Sequence, residues 1–190
     1  MHITAIICEY NPLHRGHEWQ LSRAREQADK VVCIMSCSFV QRGEPAFYDK
    51  WTRAKWAVQA GADMVVELPC IYSLRSAQYF ARGAIELAHN MGLDSFCFGA
   101  ENDDVDLLQS IAYTNLFSQI YKDILQQCMA TGLSYPAAQE EATMTYRKLH
   151  KGSFRPNNIL GIGYIKAAME WYSHMETLPV KRKDGGARRS

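Results

Sequence analysis

A chain of 190 residues with 47% hydrophobic and 22% charged residues is long enough for one domain with a sizeable core. The net charge is +1, and five of the 21 Lys and Arg residues lie in the last ten positions, which argues against a broad basic surface for nucleic acid on the main body. No apolar run approaches the roughly 18 residues of a membrane span, and the start lacks a signal peptide. We therefore expect a cytoplasmic protein that does not enter a membrane.

Four apolar, β-rich stretches predict buried strands at 3–10, 30–37, 63–69 and 95–100. Nearly continuous apolarity is typical of strands that are buried on both faces of a parallel sheet. Helical patterns lie between them, and the second has Asp49 as its predicted N-cap and Gly61 as its stop. The alternation predicts an α/β, doubly wound, Rossmann-like sheet. With 178–183 as a possible fifth strand, the sheet would have about five strands.

The pattern becomes helical after residue 104. One long amphipathic stretch covers 105–132, and two more follow at 134–150 and 157–172. We divide the chain into a core at 1–104, a helical insertion or extension at 105–175, and a possible fifth strand with a basic tail at 176–190.

The six cysteines form no CxxC pair, and their spacing does not suit zinc. We interpret them as buried free thiols in a reducing compartment. They are Cys8, Cys33, Cys37, Cys70, Cys97 and Cys128.

The segment EYNPLHRGHEWQL at 9–21 carries His14 and His17 with Gly16 between them. It joins the first strand to the first helix, and ligands of open α/β sheets bind at such strand ends. A helix that begins there offers free N–H groups and the positive end of its dipole to an anion. Three interpretations remain: a metal pair, which needs further ligands, a packed or surface pair, and a phosphate site. The coincidence of turn, glycine and helix start favours phosphate.

Several motifs add a resemblance to a known family. His14-Arg15-Gly16-His17 resembles the HxGH signature of the nucleotidyltransferase superfamily. The segments EYNPLHRGH, MSCSFVQRGEPA, DKWTRAKWAVQAGADMVVELP, FGAEN and RPNNILGIGYIKA follow the order seen in the bacterial tRNA(Met) cytidine acetate ligase family. The resemblance covers residues 1–182. It implies an ATP-dependent ligase that joins acetate to ATP, releases pyrophosphate, and transfers acetyl from acetyl-adenylate to N4 of the wobble cytidine of elongator tRNA(Met).

The resemblance also implies a nucleotide site with ATP as co-substrate and Mg²⁺ beside it. It suggests His14 and His17 as catalytic residues, and the loop after the second strand adds Arg42. The nucleotide-binding residues it suggests are Ile7, Glu9, Tyr10, Asn11, Pro12, His14, Gly16, His17, Gln20, Gly99, Asn157 or Asn158, and Arg182. Acetate and elongator tRNA(Met) are the implied partners, and the oligomeric state is not indicated.

Structural alternatives remain for several of these residues. Gly99 would also suit a plain strand-end turn, the asparagine pair a helix N-cap, and Arg182 a solvated tail. The loop with Arg42 follows the second strand, and Arg42 suits a carboxylate or phosphate because of its planar fork. An Arg42–Glu44 contact that only orders this loop is the alternative. For the helix that opens with Trp51, Arg53 and Lys55, contact with RNA and a solvated helix face are the two interpretations.

Three departures from the family pattern stand out. Cys37 replaces a usual glycine, which would add strain if that position needs a positive φ. Ala100 replaces a usual serine. Family members are about twice as long, so the end at KDGGARRS is interpreted as a truncation or a frame-shifted end that puts full activity in doubt. Two other functions stay open: a small-molecule adenylyltransferase of the superfamily, and an inactive nucleotide-binding fragment.

Overall fold

The computed structural model describes residues 1–148, 156–171 and 174–182, without the side chains of Pro156 and Asn157. Its elements are β1 (Ile3–Cys8), α1 (Arg15–Arg25), β2 (Lys30–Ser36), α2 (Lys50–Gln59), β3 (Met64–Leu68), α3 (Cys70–Ser73), α4 (Ala77–Asn90), β4 (Ser95–Ala100), α5 (Val105–Phe117), α6 (Gln119–Ala130), α7 (Tyr135–Arg147), α8 (Pro156–Glu170) and β5 (Glu176–Lys181). Within this part of the chain, no helix is long and apolar enough to cross a membrane.

The five strands form one parallel sheet in the order β3-β2-β1-β4-β5. The chain runs outward from β1 to β3 on one side and then crosses to β4 and β5 on the other. This order confirms the predicted doubly wound fold. The reversal of direction lies between β1 and β4, and ligands of such sheets bind at this point, beyond the carboxyl ends of the strands.

Alternate residues of β1 face two separate hydrophobic cores. Ala5 and Ile7 pack towards α4, α5 and α8, whereas Ile6 and Cys8 pack towards α1 and α2. The strands β1, β2 and β4 are buried on both faces, as predicted. β3 differs, because it is an edge strand and leaves Met64 and Glu67 exposed.

The predicted single stretch at 105–132 is wrong, because the chain turns at Ser118. The ψ of Ser118 is 118°, an extended value that ends α5, and its hydroxyl accepts a hydrogen bond from Tyr121 N at 3.3 Å and so caps α6. α5 and α8 share the hydrophobic core of the sheet. The three-part division of the chain stays a prediction.

The expectation of six buried free thiols is wrong for three cysteines. Cys37 and Cys70 form a disulfide with their Cα atoms 5.6 Å apart, and Cys128 is only half-buried. The other three are buried free thiols, as predicted: Cys8, Cys33 and Cys97. Cys37 is not among the residues with positive φ, so the strain expected for cysteine at this position is absent. The spacing of the cysteines did not predict this pair, because 33 positions separate them in the sequence. The pairing of β2 with β3 brings them together.

Candidate nucleotide site

The turn between β1 and α1 redirects the chain over the end of the sheet. Tyr10 adopts a left-handed backbone conformation with φ of 46°, which is costly for a residue other than glycine. Its side chain is buried, and its hydroxyl lies 3.6 Å from the Cys33 thiol. The peptide bond between the following two residues, Asn11 and Pro12, is cis. Burial of the Tyr10 ring anchors this unusual backbone to the core.

The two histidines of the turn form one unit at the start of α1. His14 is the N-cap, and its Nδ1 accepts a hydrogen bond from Gly16 N at 3.1 Å. His14 N in turn donates to Nδ1 of His17 at 3.3 Å. The rings stack with centroids 3.6 Å apart and planes 19° from parallel. Since each Nδ1 accepts from the backbone, each neutral ring carries its proton on Nε2.

Gly16 is required by the position of the His14 ring. A Cβ at residue 16 would lie 2.9 Å from His14 Cε1 and 3.1 Å from its Nδ1. Any other side chain would therefore push the ring off the helix start. The glycine of the HxGH signature thus has a steric reason in this chain.

His17 is held in its neutral form. Burial, followed by the charges of His14 and Arg182, lowers the pKa of His17 from 6.5 to about 4. Its ring also lies against Tyr10, with centroids 4.9 Å apart. At neutral pH His17 therefore acts as an Nε2–H hydrogen-bond donor.

The structure brings Gly99, Arg182 and Gln20 to the same place. A Cβ on Gly99 would lie 3.6 Å from Arg182 Cγ and 4.0 Å from Gln20 Oε1. Arg182 N donates to Ala100 O at 3.0 Å, and Trp19 Nε1 donates to Lys181 O at 3.4 Å. The ends of β4 and β5 therefore meet α1, and the bare backbone of Gly99 lies among polar side chains. Arg182 is exposed, yet it is close enough to influence the pKa of His17.

The Asn158 side chain stabilises the backbone that follows β4. It is buried, and its side-chain oxygen accepts from the backbone N–H groups of Glu101 and Asn102 at 2.8 and 3.2 Å. As the third residue of α8, it is not the N-cap of its own helix, but it caps the turn that follows β4. The side chain of Asn157 lies outside the described residues.

Arg53 overturns the expectation of a solvated helix face at this position. Its side chain is fully buried, with 0% relative exposure, and it donates to Glu9 O at 2.6 Å, Ser36 Oγ at 3.2 Å and Cys37 O. It thereby joins the ends of β1 and β2 beneath the site. This role was not predicted from the sequence, although Arg53 stands four residues before the buried Ala57 on the same helix face. Trp51 and Lys55 are exposed, as a helix surface predicts.

A polar loop at 38–48 borders the histidine turn. Gln41 N donates to the Glu9 carboxylate at 2.6 Å, and Phe47 N donates to Asn11 Oδ1 at 2.6 Å. Arg42 is exposed at the tip of this loop, and no hydrogen bond or ion pair holds its guanidinium within the described part of the chain. The alternative Arg42–Glu44 contact is therefore absent among the described residues, and Arg42 is available to a ligand.

The remaining candidates differ in what they present to the crevice. Pro12 is exposed, while Glu9, Asn11 and Gln20 are half-buried. Ile7 packs its side chain into the hydrophobic core. A nucleotide would therefore contact Ile7 only through its backbone.

The residues present suit an anionic nucleotide better than a metal ion. Two imidazoles, the N-terminus of α1 and the side chain of Arg182 all offer donors or positive charge. Among the described residues, no group of three His, Cys, Asp or Glu side chains is placed to hold a metal. Any Mg²⁺ here would need its ligands from phosphate oxygens and water.

Comparison with known proteins fits this geometry. The chain is 42% identical over 194 residues to a tRNA(Met) cytidine acetate ligase of Clostridium novyi (strain NT), and the match covers 96% of the chain and 48% of the relative. A ligase of the same name from Acetivibrio thermocellus is 43% identical, with 96% and 46% covered. The chain spans about half the length of the curated relatives it matches.

A solved structure matches over the same share. The crystal structure of Thermotoga maritima TmcAL bound with alpha-thio ATP superposes with a TM-score of 0.89 at 33% identity, and covers 99% of this chain and 48% of that protein. The resemblance that the motifs indicated is therefore confirmed. A family model described as HIGH Nucleotidyl Transferase matches residues 1–189. The chain belongs to the HIGH nucleotidyl transferase family.

Proposed function

We propose that this chain activates acetate with ATP and passes the acetyl group to N4 of the wobble cytidine of elongator tRNA(Met). The observation that carries the nucleotide half of this proposal is the stacked pair of His14 and His17, whose Nδ1 atoms both accept from the backbone at the start of α1. The names of the Clostridium and Acetivibrio relatives support acetate and the tRNA as the other reactants.

The histidine pair binds the phosphates of ATP in this proposal. His14 and His17 donate from Nε2 to phosphate oxygens, and the first N–H groups of α1 add to this field. As the bond between the α- and β-phosphates breaks, negative charge grows on the departing pyrophosphate. Donors that are already oriented stabilise this charge without reorganising. A neutral His17 suits this role, because it can donate without giving up its proton.

Gly99 and Arg182 bind the rest of the nucleotide. Because Gly99 has no side chain, a ribose or base can approach the backbone at the end of β4. Arg182 lies beside this surface, and its guanidinium suits an α-phosphate oxygen during attack. Gln20 contributes a hydrogen-bonding amide at the same place. The resulting cleft follows the crevice between β1 and β4.

Arg42 is the proposed contact for acetate or phosphate on the opposite side of the turn. Attack of an acetate oxygen on the α-phosphorus forms acetyl-adenylate and releases pyrophosphate. The N4 amine of cytidine then attacks the acetyl carbonyl, loses a proton and displaces AMP. Two steps through a mixed anhydride replace one difficult condensation.

Exchange of labelled pyrophosphate into ATP tests the first step. We expect exchange with the 190-residue chain only when acetate is present, and we expect its loss in His17→Asn but not in His89→Asn, which removes an exposed histidine from the end of α4. Appearance of N4-acetylcytidine in elongator tRNA(Met), measured by nucleoside mass spectrometry, tests the second step.

Three outcomes would redirect the assignment. Exchange that needs no acetate would point to another adenylyltransferase of the superfamily. Thermal stabilisation by ATP without exchange would point to a nucleotide-binding fragment. No exchange and no stabilisation, with the Clostridium novyi relative active in parallel, would contradict the proposal for this chain.

A further inference from the structure

We propose that Cys37 and Cys70 form a reversible thiol–disulfide site that controls how residues 70–76 dock against the loop at 38–48. The two cysteines follow neighbouring strands, since Cys37 comes directly after β2 and Cys70 comes two residues after β3. Their Cα atoms are 5.6 Å apart, which lies within the range that a disulfide spans. The pair can therefore open and close without moving the sheet.

The two cysteines differ in exposure. Cys37 is buried, with 1% relative exposure, whereas Cys70 is exposed. A dissolved thiol or disulfide can therefore meet Cys70 first, while Cys37 is reached only from its partner. This asymmetry is typical of a pair in which one cysteine exchanges with solution and the other resolves the mixed disulfide.

Closure proceeds by two exchange steps with a low-molecular-weight disulfide such as oxidised glutathione. The Cys70 thiolate attacks one glutathione sulfur, which forms a mixed disulfide and releases one glutathione thiolate. The Cys37 thiolate then attacks the Cys70 sulfur and releases the second. Two electrons pass from the protein to glutathione, and the two cysteine protons end on the released thiols. Reduced glutathione reverses both steps.

Among the described residues, two hydrogen bonds join the two sides near this site in addition to the disulfide. Cys37 N donates to Ser73 Oγ at 3.4 Å, and Gln41 Nε2 donates to Arg75 O at 3.1 Å. The backbone of Cys37 is also held in place, because its carbonyl oxygen accepts a hydrogen bond from the buried Arg53 side chain. Tyr72 packs against the core beside Gly83, and Ser73 is buried, so the first turn of this segment keeps its own anchors. Reduction therefore leaves the Cys37 side in place and loosens the later part of the segment, where Leu74 is exposed.

The loop at 38–48 transmits this change to the border of the candidate site. Gln41 contacts residue 75 through its side chain and Glu9 through its backbone N–H. When the segment at 70–76 loosens, the hydrogen bond from Gln41 to Arg75 O is lost, and Gln41 keeps only its contact with Glu9. We therefore expect the reduced chain to be more mobile at the loop tip, where Arg42 and Gly43 lie.

Differential alkylation of the 190-residue chain tests the redox half of the proposal. The chain is equilibrated in glutathione buffers of increasing oxidised fraction, free thiols are blocked, and peptides are identified by mass spectrometry. We expect Cys37 and Cys70 to become protected together, with one shared midpoint and a 37–70 cross-linked peptide. In Cys70→Ser the cross-link is lost and Cys37 remains a thiol, whereas Cys128→Ser, a change on α6, leaves the midpoint unaltered.

Limited trypsin digestion of the same samples tests the structural half. We expect cleavage after Arg42 and Arg75 to be several-fold slower in the oxidised chain than in the reduced chain, and Cys70→Ser to cleave at the fast rate in both buffers. Cleavage after Lys148, at the end of α7, serves as the internal reference. Absence of the cross-linked peptide in every buffer, or equal cleavage rates in the two states, would overturn the proposal. Neither measurement depends on nucleotide binding, so the proposed function is tested separately.

Discussion

His14 and His17 stack with their ring centroids 3.6 Å apart, and each uses the same ring nitrogen to accept a backbone N–H group. One side of each ring therefore stabilises the start of α1, and the other side remains available to a ligand. The capping role and the proposed binding role belong to different atoms of one side chain, so substitutions can separate them.

The first prediction separates the two nitrogens of His17. In His17→Asn the amide oxygen can take the place of Nδ1 and keep the bond from His14 N, but the Nε2 donor is lost. We expect pyrophosphate exchange to fall at least 100-fold while the free energy of unfolding changes by less than about 0.5 kcal/mol. His17→Ala should lose exchange and also about 1 kcal/mol of stability. Urea unfolding alongside the exchange assay measures both, and exchange retained by His17→Asn would exclude a role for Nε2.

The second prediction concerns Gly16. In Gly16→Ala the new methyl group would meet the His14 ring at 2.9 Å and rotate it away from the helix start. We expect ATP-dependent thermal stabilisation to be lost. The matched control is Gly163→Ala in α8, where the methyl group meets Ala81 Cβ at an ordinary 3.5 Å. That control should keep ATP binding and gain up to about 1 kcal/mol of stability from helix propensity. Equal behaviour of the two variants in a thermal-shift assay would contradict the steric argument.

The third prediction concerns buried Arg53. Arg53→Met removes donors from the carbonyl groups of Glu9 and Cys37 and leaves them unpaired in the interior. We expect a loss of about 3–5 kcal/mol in the free energy of unfolding, measured in urea. Lys55→Met on the exposed side of α2 should change it by less than about 0.5 kcal/mol. A small effect of Arg53→Met would mean that water or other donors replace the guanidinium.

The fourth prediction concerns acid stability. The pKa of His17 is lowered from 6.5 to about 4 in the folded chain, so the unfolded chain binds more protons between these values. The stability associated with neutral His17 is present above pH 6.5 and is lost as the pH falls towards 4. His17→Asn should flatten the pH dependence of unfolding in this window. His89→Asn serves as the control for removing a histidine, and an unchanged slope in His17→Asn would contradict the lowered pKa.

The fifth prediction concerns RNA, and it rests on the proposed function. Trp51 is 75% exposed, with the ammonium of Lys50 5.3 Å from its ring centroid. Aromatic rings of this kind stack unpaired bases of single-stranded RNA loops. We expect Trp51→Ala to weaken binding of the elongator tRNA(Met) anticodon stem-loop about tenfold, measured by fluorescence anisotropy. Phe117→Ala removes another exposed ring, 59% exposed at the end of α5, and should have no effect. Equal affinities would exclude Trp51 from the RNA surface.

Much of the fold is local in origin and could be predicted from the sequence. Apolar stretches around Ile6, Ile34 and Phe98 indicate strands, because burial on both faces demands continuous apolarity. Asp49 caps α2 as predicted, since an N-cap carboxylate acts on N–H groups two and three residues away. The helix break at Ser118 was missed because the hydrophobic pattern continues through it.

The sequence by itself determined the doubly wound class, the position of the histidine turn and the family, because each depends on residues close together along the chain. Only the tertiary structure decided which distant residues meet. Burial of Arg53 depends on the ends of β1 and β2, the Cys37–Cys70 bond on the pairing of β2 with β3, and the closeness of Arg182 to Gly99 on the pairing of β4 with β5. These contacts follow from the order of the strands in the sheet. That order is set only when helices from distant parts of the chain pack on both faces of the sheet.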